Sequence, residues 1–135
     1  MSALRRISVA LAATLAAAPG SALPLTAAER AIGFAACAGR YAAEMEHDWL
    51  LDPAASGAPE ALRDGFLALL EAVEPDALHD GVPPHLLMAT RIEEKAAQAA
   101  LLQRAAFHAD PLAAGAARDA AERRIATCGG WLLGS

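Results

Sequence analysis

The chain has 135 residues, room for one domain; 38 of them are Ala, none is Asn and Lys95 is the only lysine. Ala, Leu, Arg and Glu dominate and β-branched residues are few, which excludes a β-sandwich or barrel and predicts an all-α fold. A net charge of −5 excludes the basic stripe of a nucleic-acid binder, and two cysteines are too few for a structural zinc site or a disulfide-dense scaffold.

Residues 1–22 read as a secretory signal peptide. Arg5 and Arg6 supply the positive start, Ile7 to Ala18 carry no charge, and Pro19 precedes the small residues Gly20-Ser21-Ala22 of a cleavage site. Cleavage after Ala22 leaves a single helical domain over 23–135; cleavage after Ala18 is the alternative. The uncharged run rises only about 18 Å as a helix, short of a hydrocarbon core of about 30 Å, so no stable membrane anchor is expected after cleavage. Losing Arg5 and Arg6 leaves 9 basic residues against 16 acidic ones, a net charge of −7, which disfavours anionic lipid and nucleic acid as partners. The address and the Ala/Arg-rich, Lys-poor composition together predict a bacterial protein of the periplasm or the medium.

Thr26-Ala27-Ala28-Glu29 fits a capping box, and helical spacing runs from there to Leu51, where Asp52-Pro53 stops it. Phe34, Ala38, Tyr41, Met45 and Trp49 share one face of this first helix, which predicts burial of Trp49; Arg40, Glu44 and His47 lie on another side. After a loop over 52–58, Pro59 opens a second helix with Leu62, Phe66, Leu69, Leu70 and Val73 as its apolar stripe, expected to end before Pro75. Residues 75–83 read as the longest connection, Pro84 opens a third helix to about His108, and Asp110-Pro111 caps and starts a fourth. The fourth carries Ala114, Ala117, Ala121, Ile125, Cys128 and Leu132 on one face, and Gly129-Gly130 is expected to loosen its last turn. Four such segments predict a small up-down-up-down four-helix bundle.

Only 29 residues beyond Ala22 are Leu, Ile, Val, Met, Phe, Tyr or Trp, a thin core of the kind that needs a staple. Cys37 and Cys128 supply one. In an exported chain two cysteines pair most simply with each other. Counting 1.5 Å per residue, their heights agree to within about one turn if the first and fourth helices are antiparallel neighbours.

Glu44-x-x-His47 is half of the motif with which bundle di-iron proteins place two ligands on one helix, but no second copy exists, since Ala96 and Ala97 follow Glu93 and Glu94 at that spacing. A surface ladder pairing Arg40 with Glu44 is the competing expectation. His79 and His85 flank a Pro-rich turn and, with Glu44 and His47, are the weak metal candidates. Arg91, Lys95 and Gln98 form a polar stripe on the third helix that suits an anion or acidic residues of a neighbouring helix such as Asp48. Trp49-Leu50-Leu51 recurs as Trp131-Leu132-Leu133; each copy reads first as a hydrophobic plug closing a helix end, and the second, near the chain end, is the candidate interaction patch. No nucleophile–base set, phosphate loop or haem-attachment motif is present, so neither catalysis nor a cofactor is expected. The resulting expectation is a non-catalytic interaction module of the cell envelope with a protein partner. An acid-stress chaperone, suggested by the 16 acidic residues and four His, and a metal-binding protein are the alternatives.

Overall fold

Thr26 begins the first helix as the sequence requires. Its hydroxyl accepts from the Glu29 amide at 3.1 Å while its own amide donates to Glu29 Oε2 at 2.8 Å, closing the capping box. The computed structural model describes residues 25–132; the expected signal peptide at 1–22, and Leu133, lie outside the described residues. Among these are four helices and no strand: α1 (Ala27–Leu51), α2 (Gly57–His79), α3 (Pro84–Phe107) and α4 (Pro111–Leu132). No described helix is long and apolar enough to cross a membrane.

Residue pairings set the directions. Tyr41 stacks on Phe66 and Met45 meets Arg63, so α1 and α2 are antiparallel. Arg40 meets Glu94 and Glu44 meets Gln98, so α1 and α3 are parallel; Cys37 is joined to Cys128, so α4 runs against α1. The helices alternate in direction, but they are not arranged as a square with α1 and α3 on a diagonal. Instead α1 is the central rod: α2 rests chiefly on it, and α3 and α4 pack on its other side. Small residues make this possible. Ala31, Gly33, Ala35, Ala38, Gly39 and Ala43 are all buried, and from Gly33 to Met45 no residue of α1 is exposed, so this central stretch is covered on more than one stripe. At Gly39 the Arg91 carbonyl occupies the space a Cβ would need, so α3 lies directly on the α1 backbone.

The second helix corrects two sequence expectations. It starts at Gly57, where Pro59 still falls among the first four amides that have no helical acceptor, and it continues through Pro75 to His79. Ala77 is fully buried and Val82 nearly so, and this burial beyond the proline holds the chain helical despite the lost hydrogen bond. The end is a Schellman turn: the Val82 amide donates to the Ala77 carbonyl and the Gly81 amide to the Leu78 carbonyl, with Gly81 at φ 89°. The connection to α3 is therefore only residues 80–83. At the start of α4 the Asp110 carboxylate accepts from the Leu112 amide at 2.9 Å, as expected of an N-cap. Gly129 and Gly130 stay helical.

The predicted disulfide is present, linking α1 to α4 with a Cα–Cα distance of 5.7 Å and both cysteines fully buried. It encloses 91 residues of sequence separation, worth about 4–5 kcal/mol in the chain-entropy account. Disulfides of this kind form in oxidising compartments.

The two tryptophans stand opposite to the expected burial of Trp49 and the candidate patch at Trp131, an exchange of roles. Trp131 lies half-buried over Gly33 and meets the Phe34 ring edge-on at 5.8 Å, extending the Phe34–Phe66–Tyr41 aromatic core. Trp49, predicted to be buried, is exposed. Beside it stand Ser56, just before α2, and Glu60 and Arg63 in the first turns of α2, which offer no apolar cover.

Candidate functional site

Three features of the molecule hold chemistry or unpaired apolar surface. The first is a polar network inside the α1/α3/α4 junction. Gln98 is fully buried and uses both ends of its amide: Nε2 donates to Glu44 Oε1 at 2.7 Å and to the Ala121 carbonyl at 3.1 Å, while Oε1 accepts from Arg124 Nε at 3.0 Å. Arg124 and Arg40 both donate to Glu94 Oε2 at 2.7 Å. Arg40 also reaches the Arg124 carbonyl at 2.9 Å and the Thr127 hydroxyl at 2.6 Å, beside the disulfide. A satisfied network of this kind fixes the register of three helices whose interfaces are otherwise mostly alanine.

This network redistributes the polar residues singled out from the sequence. Arg40 does not pair with Glu44 on the surface. α3 and α4 close over that side of α1, so Arg40 turns to Glu94 and Glu44 to Gln98. Arg91, Lys95 and Gln98 do not present one donor surface either: Gln98 is consumed in the core and Lys95 pairs with Glu46 at 2.5 Å. Arg91 lines the groove between α2 and α3, where its own carbonyl meets Gly39. His79 and His85 stand exposed at the two ends of the α2–α3 turn. Among the described residues no three His, Cys, Asp or Glu side chains converge as metal ligands would.

The second feature is a cleft of about 490 Å³ next to the network, between the C-terminal half of α1, the end of α3 and the middle of α4. Glu44 and His47 line it from α1, Leu102, Ala105 and Ala106 from α3, and Arg118, Glu122 and Ile125 from α4. Burial raises the Glu44 carboxyl above its ordinary range; the Gln98 hydrogen bond and the His47 charge oppose this, and Asp48 adds to it. Burial, together with the Glu44 charge, also raises Tyr41.

The third feature is an apolar end. Because α1 and α3 are parallel and α4 antiparallel, the C-terminal ends of α1 and α3 and the start of α4 lie at the same end of the molecule. There Trp49 is 65 % exposed, Leu50 74 %, Leu51 56 %, Phe107 71 % and Leu112 84 %. Leu50, Leu51 and Phe107 border one shallow groove between α1 and α3. Sequence reasoning assigned the patch to Trp131, Leu132 and Leu133; of these Trp131 is packed against the core and Leu132 is half-exposed. The repeat of Trp-Leu-Leu was the readable signal, but which copy faces solvent depends on the neighbour each helix end receives. Compared with known proteins, the chain matches no family model, no curated protein and no solved structure.

Proposed function

We propose that the protein is an exported, non-catalytic interaction module of the cell envelope that docks a partner protein on the apolar end formed by α1, α3 and α4. The exposure of Trp49, Leu50, Leu51, Phe107 and Leu112 at that end carries the reading. Single exposed leucines are ordinary on a protein surface, whereas Leu50, Leu51 and Phe107 around one groove, with Trp49 and Leu112 at the same end of the molecule, match the anchors of protein interfaces. In a domain with so few large apolar residues, leaving five of them in water forfeits stability that burial elsewhere would add. Asp48 and Asp52 flank the Trp49–Leu51 run and Asp110 precedes Leu112, so the favoured partner presents an apolar helix face edged by Lys or Arg. Export rests on the character of residues 1–22 and on the Cys37–Cys128 bond, which needs an oxidising compartment.

Two measurements test this. Intact mass of the exported product should correspond to a chain beginning at Leu23; a product retaining residues 1–22 refutes the assigned cleavage. A photo-crosslinking amino acid placed at Leu50 or Phe107 should capture a specific partner in intact cells, and one placed at Leu78, exposed at the opposite end, should not. Equal labelling from all three positions, or none, removes the docking reading. A dimer that Leu50→Asp dissociates replaces it with self-association.

A further inference from the structure

We infer that the cleft beside Glu44 binds a small organic cation with an apolar body, an alkylamine or arylalkylamine. The volume, about 490 Å³, falls within the range of small-molecule sites. Its walls are apolar on the side of α3, from Leu102 and Ala105, and carry Ile125 from α4. At its edge against α1 stands a carboxylate that the fold holds in place but does not neutralise. Glu44 Oε1 is fixed by the buried amide of Gln98, and Glu44 forms no ion pair among the described residues. Arg40 and Arg124 are committed to Glu94 and Lys95 to Glu46, which leaves the His47 ring, three residues on and lining the same cleft, as the group whose charge partly answers Glu44. Arg118, across the cleft, is exposed and stands four residues before Glu122 on the same helix, so Glu122 is its neighbour on that wall. Asp48 adds negative potential at Glu44 and helps burial hold the carboxyl above its usual range. A half-buried carboxylate in this state gains most from an ammonium that brings its own apolar body into the cleft, because the pair is then both matched and desolvated.

Hexylamine is a suitable probe, with hexanol and hexanoate as its neutral and anionic counterparts. Titrated into the oxidised domain at neutral pH, hexylamine should give saturable shifts at the Ala121 and Ile125 methyl resonances, which line the cleft and not the groove at Leu50 and Phe107. Hexanol and hexanoate should bind at least tenfold more weakly. Glu44→Gln keeps an oxygen to accept from Gln98 and should weaken hexylamine about tenfold while leaving hexanol unchanged. Ala105→Phe, which fills the cleft without touching the carboxylate, should abolish both. The inference is overturned if hexanoate binds as well as hexylamine, if Glu44→Gln has no effect, if the shifts appear at Leu50 and Phe107 instead, or if no saturable shift is seen. Should Glu44→Gln fail to fold, the charge preference among the three probes and the Ala105→Phe variant decide alone.

Discussion

Replacing a helical glycine by alanine ordinarily stabilises a helix by about 0.5–1 kcal/mol, through lower chain entropy and better propensity. In this protein the sign should depend on which glycine is changed. Gly65 and Gly115 lie within α2 and α4 with nothing within 4 Å of the added methyl, so each should gain that amount, about 2–4 °C in melting temperature at roughly 4 °C per kcal/mol. At Gly39 the methyl overlaps the Arg91 carbonyl, a backbone atom of α3 that no rotamer change can move. The two helices must separate, and overpacking of this kind costs about 1–3 kcal/mol, with the rigid neighbour placing Gly39→Ala at the upper end. At Gly33 the obstacle is the Trp131 indole, a side chain, so the penalty should be smaller and should disappear once the indole is gone. Urea midpoints of the four single variants, and of Gly33→Ala made in a Trp131→Ala background, measure all of this. In that background Gly33→Ala should turn stabilising, a coupling visible in the double-mutant cycle. A Gly39→Ala protein as stable as the wild type would mean that α3 does not lie on α1 at this position, and the central-rod arrangement would fall with it.

Non-reduced protein should contain no titratable thiol, and Cys37→Ser should lower the melting temperature by more than about 10 °C, from a loss of about 4 kcal/mol; two free thiols in the native protein refute the staple. Trp131→Ala should cost about 2–3 kcal/mol, less than a fully buried tryptophan because its ring is only half-covered, while Trp49→Ala should cost less than about 1 kcal/mol; thermal melts that reverse this order overturn the exchange of roles. Glu44→Gln should change the pH dependence of stability. The raised native carboxyl binds its proton to higher pH than the unfolded one, so stability falls as pH rises from the ordinary carboxylate range through the native value, and stays lowered above it. The variant lacks this decline, so its advantage over the wild type should grow with pH across the acid range and level off towards neutrality. Urea titrations at several pH values read it directly, and a constant difference refutes the raised carboxyl.

Local chemistry was legible in the sequence wherever a few neighbouring residues decide the outcome. The Thr26–Glu29 box, the Asp110-Pro111 start and the Asp52-Pro53 stop need no tertiary partner, and all three stand where the residues place them. The Cys37–Cys128 bond was also readable, because helix rise alone puts the two at one height once α4 runs against α1. Pro75 misled for the opposite reason: its local preference to end a helix loses to the burial of Ala77 and Val82, which is a tertiary contact that neighbouring residues alone do not reveal. The α1 face containing Trp49 was assigned by helical phase, yet phase states only which residues point one way, not how far the covering helix extends. The polar network was hidden for the same reason. Arg40, Glu44, Glu94, Gln98 and Arg124 each carry an ordinary surface signature, and only the direct packing of α3 and α4 on small residues of α1 gathers them.

The position of the staple explains where the cleft is. Of the helices packed on α1, α4 shares the least contact with it, and that interface is tied at one end: by the disulfide, by Trp131 over Gly33, and by Arg40 on Thr127. Every one of these ties lies between residues 33 and 40 of α1 and beyond residue 123 of α4. Towards Glu44 and His47 the facing residues of α4 become Ala121, Glu122 and Arg118, and the two helices leave the 490 Å³ cleft between them. Against α1 the first half of α4 therefore has less holding it than the second, and its packing comes from α3, on which Ala117 and Ala121 are buried. Local opening tracks buried apolar contact and cross-links, so amide exchange should divide α4 near Ala121. Amides from Ala116 to Ala120 should exchange at least tenfold faster than those from Ile125 to Cys128 in the oxidised protein. Reducing the disulfide should abolish most of that difference by accelerating the protected half. Uniform protection along α4 before reduction would show that the helix is held evenly, and the cleft would then need another origin.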